Sequence, residues 1–440
     1  MMSERILIVG SGGREHAIGW KIKNDNPKNQ LYFAPGNAGT LEVGEPVKVP
    51  HEPTDLAKYA ADNDIDLTII GPEDPLAKGV VDHFNEMDLA IYGPTRDAAM
   101  IETSKVWAKG FMERHGIPTA KGLGVFSDSS QKGIENALAE LEKIRYSNPF
   151  TVIKADGLAA GKGVLLPATW EDVVDAVYDC MDAKKFGHAG ETILVEERLF
   201  GDETSAFAIT DGVHYRLFDS SEDYKRVGEG DTGLNTGGMG CFSPSLVVTD
   251  DVRARMEREI IAPMIKGMAA EGRLYRGTVY LGAMITDKGP HALEFNARLG
   301  DPETEVLLPR MKSRLLPYLQ ASAVGGMAHL PEFEWGNGYC AYIVLRSGWY
   351  PGEKPKGYQV PISGLDAVAR MKDVQVFHAG TKYENGMVLG TGGRVLGVAG
   401  LGDSPYEAIG LAVEAAERIM FEGRQFRKDI GHRSLKTLGL

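Results

Sequence analysis

Residues 153–164 read IKADGLAAGKGV, a glycine- and lysine-rich stretch between two short apolar runs. The runs 151–154 and 164–166 are predicted as strands. A Walker loop carries Ser or Thr after its lysine and leads into a helix, whereas this lysine is followed by glycine and then a strand. We therefore predict a strand–loop–strand flap whose free N–H groups cover phosphates, with Lys154 and Lys162 supplying positive charge. A flexible hairpin without a ligand is the alternative.

A further apolar strand runs into acidic residues soon after this flap. Residues 193–199 read ILVEERL, and Glu203 follows. Acidic strand ends are commonly solvated, so the pattern alone indicates little. Beside a nucleotide flap, it predicts the hinge that contacts adenine, with Glu203 on the ribose hydroxyls.

Residues 293–303 read LEFNARLGDPE and place polar groups within an apolar strand. Glu294 and Asn296 project from the same face of a strand while Phe295 packs behind them. Carboxylate and amide oxygens are hard ligands suited to Mg²⁺, which also keeps waters and substrate phosphates in its coordination shell. Arg298 lies just beyond and could bind a carboxylate or phosphate bidentately. This segment predicts a metal site next to an anion clamp.

The first hundred residues alternate short apolar strands with helical stretches. Such alternation predicts a parallel sheet with helices on both faces. Ligands of open α/β sheets bind outside the carboxyl ends of the strands, so the loops that follow the strands should share one rim. The predicted strands are 6–9, 31–34, 66–70 and 89–92, the helices are 15–23, 55–64 and 76–86, and the rim loops are 10–13, 35–39, 71–75 and 93–95.

The first rim loop, GSGGRE at 10–15, invites comparison with a dinucleotide-binding fingerprint. That fingerprint has glycine at its sixth position, where this chain has Glu15, and an acid near the end of the second strand, which is absent here. The sequence therefore disfavours a nicotinamide cofactor. A phosphate at the helix N-terminus, with Arg14 as a charged donor, remains open, and so does a simple tight turn.

The remainder of the chain offers structural rather than catalytic patterns. The glycine-dense segment 228–240 is predicted to be a mobile closing loop. A helical run is expected at about 251–271, and a domain boundary at 325–335. Short strands follow at 339–346 and 394–399, and a capped helix begins at Ser404-Pro405-Tyr406-Glu407, with Ala408, Ala412, Ala415 and Ile419 on its core face.

Composition excludes several classes of function. The chain has 440 residues, 43% of them hydrophobic, and a net charge of −13, which disfavours nucleic acid and anionic membranes as partners. Its three scattered cysteines indicate neither disulfides nor a zinc site, and the short apolar run near the start is no signal peptide or membrane span, so a cytoplasmic location is expected. No Ser/His/Asp, Cys/His or H-E-x-x-H arrangement appears, so covalent enzyme catalysis is not indicated.

Taken together, these segments resemble the ATP-grasp ligases, and among them the glycinamide ribonucleotide synthetases, over essentially the whole chain. The motifs that carry the resemblance are GGREHA at 12–17, PGNAGT at 35–40, GPEDPLAKGVVD at 71–82, IKADGLAAGKGV at 153–164, NTGGMG at 235–240, EFNARLGDPETE at 294–305 and FHAGT at 377–381. The resemblance implies an α/β (overall α+β) ATP-grasp fold with an N-terminal Rossmann-like domain at 1–104. It further implies a core at 105–125 and 191–330, a lid at 126–190 and a mixed β/α C-terminal domain at 331–440.

The resemblance also implies an activity and a set of site residues. Glycine, 5-phosphoribosylamine and ATP would give glycinamide ribonucleotide, ADP and phosphate, with Mg²⁺ or Mn²⁺ on Glu294 and Asn296, and the protein would act as a monomer. ATP would be bound by Lys105, Lys154, Gly157, Gly161, Lys162, Glu196, Glu197, Arg198, Leu199 and Glu203. The other substrates would be bound by Gly12, Gly13, Arg14, Glu15, Asn37, Gly39, Pro72, Glu73, Asp74, Arg226, Arg298 and Asp301, and the catalytic group would be Arg298, Lys225 and Asp301.

One position departs from the family pattern. Tyr224 stands where relatives often carry histidine, which puts an acid/base role there in doubt, while Lys225 and Arg226 match.

Two alternatives remain at this point. A carboxylase of the ATP-grasp family would share the ATP half but differ in the rim loops. A nicotinamide-linked oxidoreductase would belong to a different class.

Overall fold

The computed structural model describes residues 3–159 and 163–439. Its N-terminal part is a five-stranded, all-parallel sheet in the order β3-β2-β1-β4-β5, as the alternation of strands and helices predicts. The strands are β1 (Arg5–Gly10), β2 (Gln30–Pro35), β3 (Glu45–Pro46), β4 (Leu67–Ile70) and β5 (Ile91–Tyr92). The helices are α1 (Gly13–Asp25), α2 (Pro53–Asp62), α3 (Glu73–Ala77), α4 (Val80–Glu86) and α5 (Arg96–Thr103). The single helix predicted at 76–86 is divided at Gly79, whose φ of 81° lies in the left-handed region and interrupts the helix.

The next part is a four-stranded antiparallel sheet that carries the flap. Its order is β6-β9-β7-β8, and two helices, α7 and α8, pack beside it. Its elements are α6 (Lys105–Arg114), β6 (Gly122–Phe126), α7 (Gln131–Ile144), β7 (Thr151–Ala155), β8 (Val164–Leu165), α8 (Trp170–Met181) and β9 (Ile193–Glu197). Strands β7 and β8 pair antiparallel, which confirms the strand–loop–strand prediction. The predicted site residues Gly161 and Lys162 lie outside the described residues.

A central antiparallel sheet in the order β11-β10-β16-β17 follows. The elements of this part are β10 (Asp202–Thr210), β11 (Tyr215–Leu217), β12 (Glu222–Asp223), β13 (Arg226–Gly228), β14 (Thr232–Asn235), β15 (Gly240–Ser243), α9 (Asp250–Met256), a π-helical turn (Glu257–Ile261), α10 (Ala262–Ala270), β16 (Gly277–Thr286) and β17 (Gly289–Asn296). The segment predicted as a loop at 228–240 contains β14, which pairs with β13 as a hairpin. Gly230 and Gly233, with φ of 64° and 80°, allow the chain to reverse there.

The C-terminal part is built on a sheet in the order β12-β15-β18-β23-β20, so two of its strands come from the central segment. Its own elements are α11 (Glu303–Leu307), α12 (Leu316–Val324), β18 (Tyr339–Arg346), β19 (Val360–Pro361), α13 (Leu365–Val368), β20 (Val374–His378), β21 (Thr381–Glu384), β22 (Met387–Gly390), β23 (Arg394–Gly402), α14 (Pro405–Arg418) and α15 (His432–Thr437). The predicted cap of α14 is confirmed, since the Ser404 hydroxyl accepts a hydrogen bond from the Glu407 N–H.

Shared apolar clusters join the N-terminal, central and C-terminal parts around one cleft, while the flap sheet has a cluster of its own. Val9 of the first sheet and Leu281 of the central sheet are fully buried in the same cluster, so the two sheets share a core. Packing of this density fixes the loops at the strand ends relative to one another. In the described part of the chain, no helix is long and apolar enough to cross a membrane.

Candidate functional site

A cleft with a volume of ≈ 640 Å³ lies where the N-terminal rim, the flap sheet, the central sheet and the C-terminal part meet. Most of the residues that the sequence nominates lie in its wall. These are Arg14, Glu73, Lys105, Lys154, Gly157, Glu196, Arg198, Leu199, Glu203, Lys225, Arg226, Glu294, Asn296, Arg298 and Asp301. Of the other nominated residues that the structure describes, Gly12, Gly13, Glu15, Asn37, Gly39, Pro72, Asp74 and Glu197 lie outside the cleft wall.

The flap is anchored to the start of helix α6. Lys105 donates a hydrogen bond through Nζ to the Gly157 carbonyl at 2.9 Å. Asp156 accepts from the Ser104 hydroxyl at 3.1 Å and from the Val106 N–H at 3.0 Å. Burial lowers the pKa of Lys105, with Glu294 opposing that shift. These contacts hold Lys105 beside the glycine-rich turn, an arrangement suited to phosphate binding.

Glu196 of β9 is buried between two lysines. Its Oε2 lies 2.6 Å from Lys154 Nζ, and its Oε1 lies 2.5 Å from Lys109 Nζ. Lys109 was not among the residues nominated from the sequence. One signal for it exists, because Lys109 lies four residues after Lys105 and therefore on the same face of α6.

The two nominated metal ligands lie side by side on β17. Glu294 pairs in register with Gly282 and Asn296 with Tyr280, so both side chains leave the same face of the sheet. Desolvation acts to raise the pKa of Glu294, but Lys225, Lys154 and Lys105 outweigh it and hold that pKa below its usual value.

This pair fits a hard cation that keeps other ligands. Among the described residues there is no group of three or more His, Cys, Asp and Glu side chains arranged to hold a metal ion. An ionised carboxylate with a neighbouring amide oxygen is the donor set of a Mg²⁺ site completed by water and substrate phosphates. Lys225, whose Nζ lies 2.5 Å from Glu203 and 3.6 Å from Glu294, adds positive charge beside it.

Arg298 is held by two carboxylates. Its Nε lies 2.9 Å from Glu73 Oε2 and its Nη2 lies 3.1 Å from Glu102 Oε1. Glu102 also accepts a hydrogen bond from the Ala297 N–H at 2.7 Å, and burial raises its pKa. Glu102 was missed by sequence analysis, although its spacing from Ala98 and Ala99 places it on the buried face of α5.

The N-terminus of α1 is already occupied by a carboxylate of the protein. Glu15 Oε2 accepts from the Gly12 N–H at 2.6 Å, and Glu15 Oε1 lies 2.6 Å from Arg14 Nε. A Cβ added at Gly71 would overlap the same carboxylate. The phosphate site expected at this helix stays a prediction, and it requires Glu15 to release the Gly12 N–H.

The side-chain amide of Asn37 forms hydrogen bonds with backbone groups of the protein. Its Nδ2 donates to the carbonyls of Ser11 at 2.9 Å, Gly12 at 3.2 Å and His378 at 2.7 Å. Its Oδ1 accepts from the N–H of Gly39 at 2.9 Å and from that of Thr40 at 3.1 Å. Asn37 therefore ties three loops together beside the cleft rather than facing it.

Two arginines of the C-terminal part enter the cleft, and no sequence motif marked them. Arg394 Nη1 lies 2.9 Å from Asp301 Oδ1 and donates to the Gly237 carbonyl at 2.6 Å. Arg433 donates to the carbonyls of Glu203 and Asp223. Isolated arginines in strands and short helices carry no local pattern, so only the folded chain identifies them.

Tyr224, where the resemblance led us to expect histidine, is fully buried. Its hydroxyl donates to Glu222 Oε2 at 3.0 Å, and the guanidinium of Arg433 lies 4.1 Å from its ring centre. Burial raises the pKa of Tyr224 well above its usual value. This environment suits a packing residue rather than an acid or base.

The chain matches three family profiles in succession. They are described as the N domain of phosphoribosylglycinamide synthetase at residues 4–102, its ATP-grasp (A) domain at 103–304 and its C domain at 340–433. The chain belongs to this family of phosphoribosylamine–glycine ligases. The family predicted from the sequence motifs is thereby confirmed, and with it the ligase class and the ATP-grasp fold.

Individual relatives of the phosphoribosylamine–glycine ligase family agree along their full length. A phosphoribosylamine–glycine ligase of Chlorobaculum tepidum is 44% identical over 98% of this chain and 100% of its own. One from Yersinia pestis is 45% identical over 98% of this chain and 99% of its own. The crystal structure of phosphoribosylamine–glycine ligase from Thermotoga maritima superposes with a TM-score of 0.82 at 32% identity, covering 97% of this chain and 100% of that one.

More distant solved structures share the fold alone. A biotin carboxylase domain of Hydrogenobacter thermophilus 2-oxoglutarate carboxylase superposes with a TM-score of 0.70 at 15% identity, covering 97% of this chain and 92% of that one. This likeness gives the carboxylase alternative no support beyond the architecture. The family assignment also replaces the nicotinamide-linked alternative, in agreement with the missing sixth glycine.

Proposed function

We propose that the protein joins glycine to 5-phosphoribosylamine at the expense of ATP, giving glycinamide ribonucleotide, ADP and phosphate. The observation that carries the proposal is the co-location in one cleft of three groups: the lysines Lys105 and Lys154, the Glu294–Asn296 pair and Arg298. Each group suits one part of the reaction, namely the nucleotide phosphates, the divalent cation and the carboxylate of glycine. Family membership supports the same reaction.

We assign the residues of this cleft and of the loops beside it as follows. ATP is bound by Lys105, Lys154, Gly157, Glu203 and the hinge 196–199, with Gly161 and Lys162 of the flap loop. Mg²⁺ or Mn²⁺ is held by Glu294 and Asn296. The loops carrying Gly12–Glu15, Asn37, Gly39 and Pro72–Asp74, together with Arg226, form the phosphoribosylamine side. The groups that react are contacted by Arg298, Lys225 and Asp301.

In the first step, the glycine carboxylate attacks the γ-phosphorus of ATP, and ADP leaves, to give glycyl phosphate. Arg298 orients the carboxylate, while Lys105 and Lys154 neutralise the charge that develops on the phosphoryl oxygens. A divalent cation held by Glu294 and Asn296 would supply further stabilisation of the negative charge on the phosphates.

In the second step, the amine of phosphoribosylamine attacks the activated carbonyl, loses a proton and expels phosphate. An acyl phosphate is hydrolysed by water, so the cleft has to close before the first step. Residues 157–159 and 163 of the flap, and Asp231 and Asn235 of the β13–β14 hairpin, line the cleft, and these two segments would provide that cover.

The proposal extends to the surroundings of the enzyme. The net charge of −13 and the three buried, unpaired cysteines suit a cytoplasmic monomer that acts on small molecules, without nucleic acid or membrane partners. We keep as a proposal the domain limits that the resemblance implies: 1–104, 105–125 with 191–330, 126–190 and 331–440.

Release of ADP tests the proposed reaction. The enzyme would be given ATP and Mg²⁺, with phosphoribosylamine generated in situ and the amino acid varied. We expect ADP only when glycine and the amine are both present. ADP formation without the amine would show that the second substrate is wrong, and no ADP under any combination would refute the ligase assignment.

A further inference from the structure

Lys154 lines the proposed phosphate site, but its positive charge is partly neutralised by the carboxylate of Glu196. Its Nζ donates to the Leu293 carbonyl at 2.8 Å and lies 2.6 Å from Glu196 Oε2. The Lys154 and Glu196 side chains are 10% and 3% exposed, so water screens this pair poorly. A closed Lys154–Glu196 pair would have no net charge and would attract phosphate weakly.

Lys109 adds a second positive charge next to Glu196, from a position behind the cleft wall. Its Nζ lies 2.5 Å from Glu196 Oε1, and it also donates to the Thr119 hydroxyl at 3.0 Å and to the Ala120 carbonyl. The Lys109 side chain is 5% exposed and lies outside the residues that line the cleft. It is therefore placed to act on Glu196 and not on a ligand.

We propose that Lys109 is a positioning residue that shares the Glu196 carboxylate and so leaves Lys154 with net positive charge for the phosphates of ATP. Two ammonium groups share one carboxylate, so the buried triad carries one net positive charge. The Thr119 and Ala120 contacts hold Lys109 in place, and Lys154 alone of the two lysines lies in the cleft wall. This inference rests on the proposed ATP site.

Nucleotide binding by the full-length protein tests the inference. In Lys109→Met, the remaining Lys154–Glu196 pair is neutral, and we expect the dissociation constant for ATP to rise about tenfold, because a buried charge near the phosphates is lost. Binding of adenosine, which has no phosphates, should stay unchanged. An equal loss for adenosine and ATP would show a distorted pocket and overturn the proposal.

A double variant separates charge from shape. Lys109→Met combined with Glu196→Gln leaves Lys154 alone and restores one net positive charge. We expect the double variant to bind ATP more tightly than Lys109→Met alone, and Lys109→Arg to resemble the parent protein. A double variant that binds ATP as weakly as the single one, or more weakly, would refute the proposal.

Two controls keep this test distinct from the proposed function and from folding. Lys21→Met removes another buried lysine, which pairs with Asp25 at 2.5 Å away from the cleft, and should leave the dissociation constant for ATP unchanged. If the parent protein itself fails to bind ATP, the proposed function fails. If the parent binds ATP and Lys109→Met binds it equally well, only the role of Lys109 is refuted.

Discussion

The side-chain amide of Asn37 donates a hydrogen bond to the backbone carbonyl of His378 at 2.7 Å, across a sequence separation of 341 residues. The backbone N–H of His378 donates a second hydrogen bond, to Nδ1 of His16, at 2.9 Å. The FHAGT segment of the C-terminal part is thus bonded to the PGNAGT loop and to helix α1. These contacts fix the rim on which we place phosphoribosylamine.

Replacing Asn37 with alanine should loosen this rim. The N–H groups of Gly39 and Thr40 and the His378 carbonyl would lose their partner, which should lower the free energy of unfolding by about 1–3 kcal/mol. We also expect KM for phosphoribosylamine to rise while KM for ATP stays constant. Denaturant unfolding and steady-state kinetics measure both effects. Asn148→Ala, at a partly exposed position away from the rim, serves as a control, and an Asn37→Ala stability equal to that of the parent would contradict the role of Asn37.

Acidification should destabilise the same region through two histidines. Burial lowers the pKa of His16 to about 3 and that of His378 to about 4. The unfolded chain, with histidine pKa near 6.5, therefore binds more protons below that pH, and protonation favours unfolding as the pH falls. Each histidine should cost about 2 kcal/mol of stability by pH 5.

The measurement is the free energy of unfolding between pH 7 and pH 5 for the parent protein and for His16→Gln. The variant should be less stable at pH 7 but should lose less stability on acidification. Parallel pH profiles for the two proteins would exclude His16 as a source of the pH dependence.

Two glycines should respond to alanine in opposite directions. A Cβ at Gly71 would overlap the Glu15 carboxylate that binds the Gly12 N–H, whereas Gly410 is exposed within α14 with no atom within 4 Å of the added carbon. We expect Gly71→Ala to lower stability by about 1–3 kcal/mol, and Gly410→Ala to raise it by about 0.5–1 kcal/mol. Thermal unfolding of both variants checks the pair, and a stable Gly71→Ala would show that Glu15 is free to move.

Arg298→Ala should mainly impair the use of glycine. Loss of charge-assisted hydrogen bonds to the glycine carboxylate should raise KM for glycine about 10- to 100-fold, with KM for ATP little changed. Arg258→Ala on the surface is the control. Steady-state kinetics with glycine as the varied substrate gives the answer, and an unchanged glycine dependence would refute the role of Arg298.

Glu294→Ala should lower kcat by about 100-fold or more without unfolding the protein, because the proposed metal ion loses its charged ligand. Turnover is measured at saturating Mg²⁺, and circular dichroism monitors the fold. Glu294→Gln keeps the shape but not the charge, and it should be impaired to a similar extent. Normal turnover of Glu294→Ala at saturating Mg²⁺ would rule out the metal assignment.

Local pattern was sufficient for much of the fold and for part of the site. The apolar runs and their turns predicted the parallel sheet and the flap strands. The residues from Ser404 to Glu407 predicted the capped start of α14. The two-residue period of a strand placed Glu294 and Asn296 on one face. Near neighbours in sequence decide such features, so one sequence contains the information.

The sequence by itself thus determined most of the elements of this protein, the family to which it belongs and many of the residue types that meet in the cleft. Only the tertiary structure decided which charges neutralise one another. Glu196 is divided between Lys109 and Lys154, Arg298 between Glu73 and Glu102, and Asp301 binds Arg394. Most of these partners lie far apart along the chain, and the energy of an ion pair depends on distance and burial in the folded state, which no local period encodes.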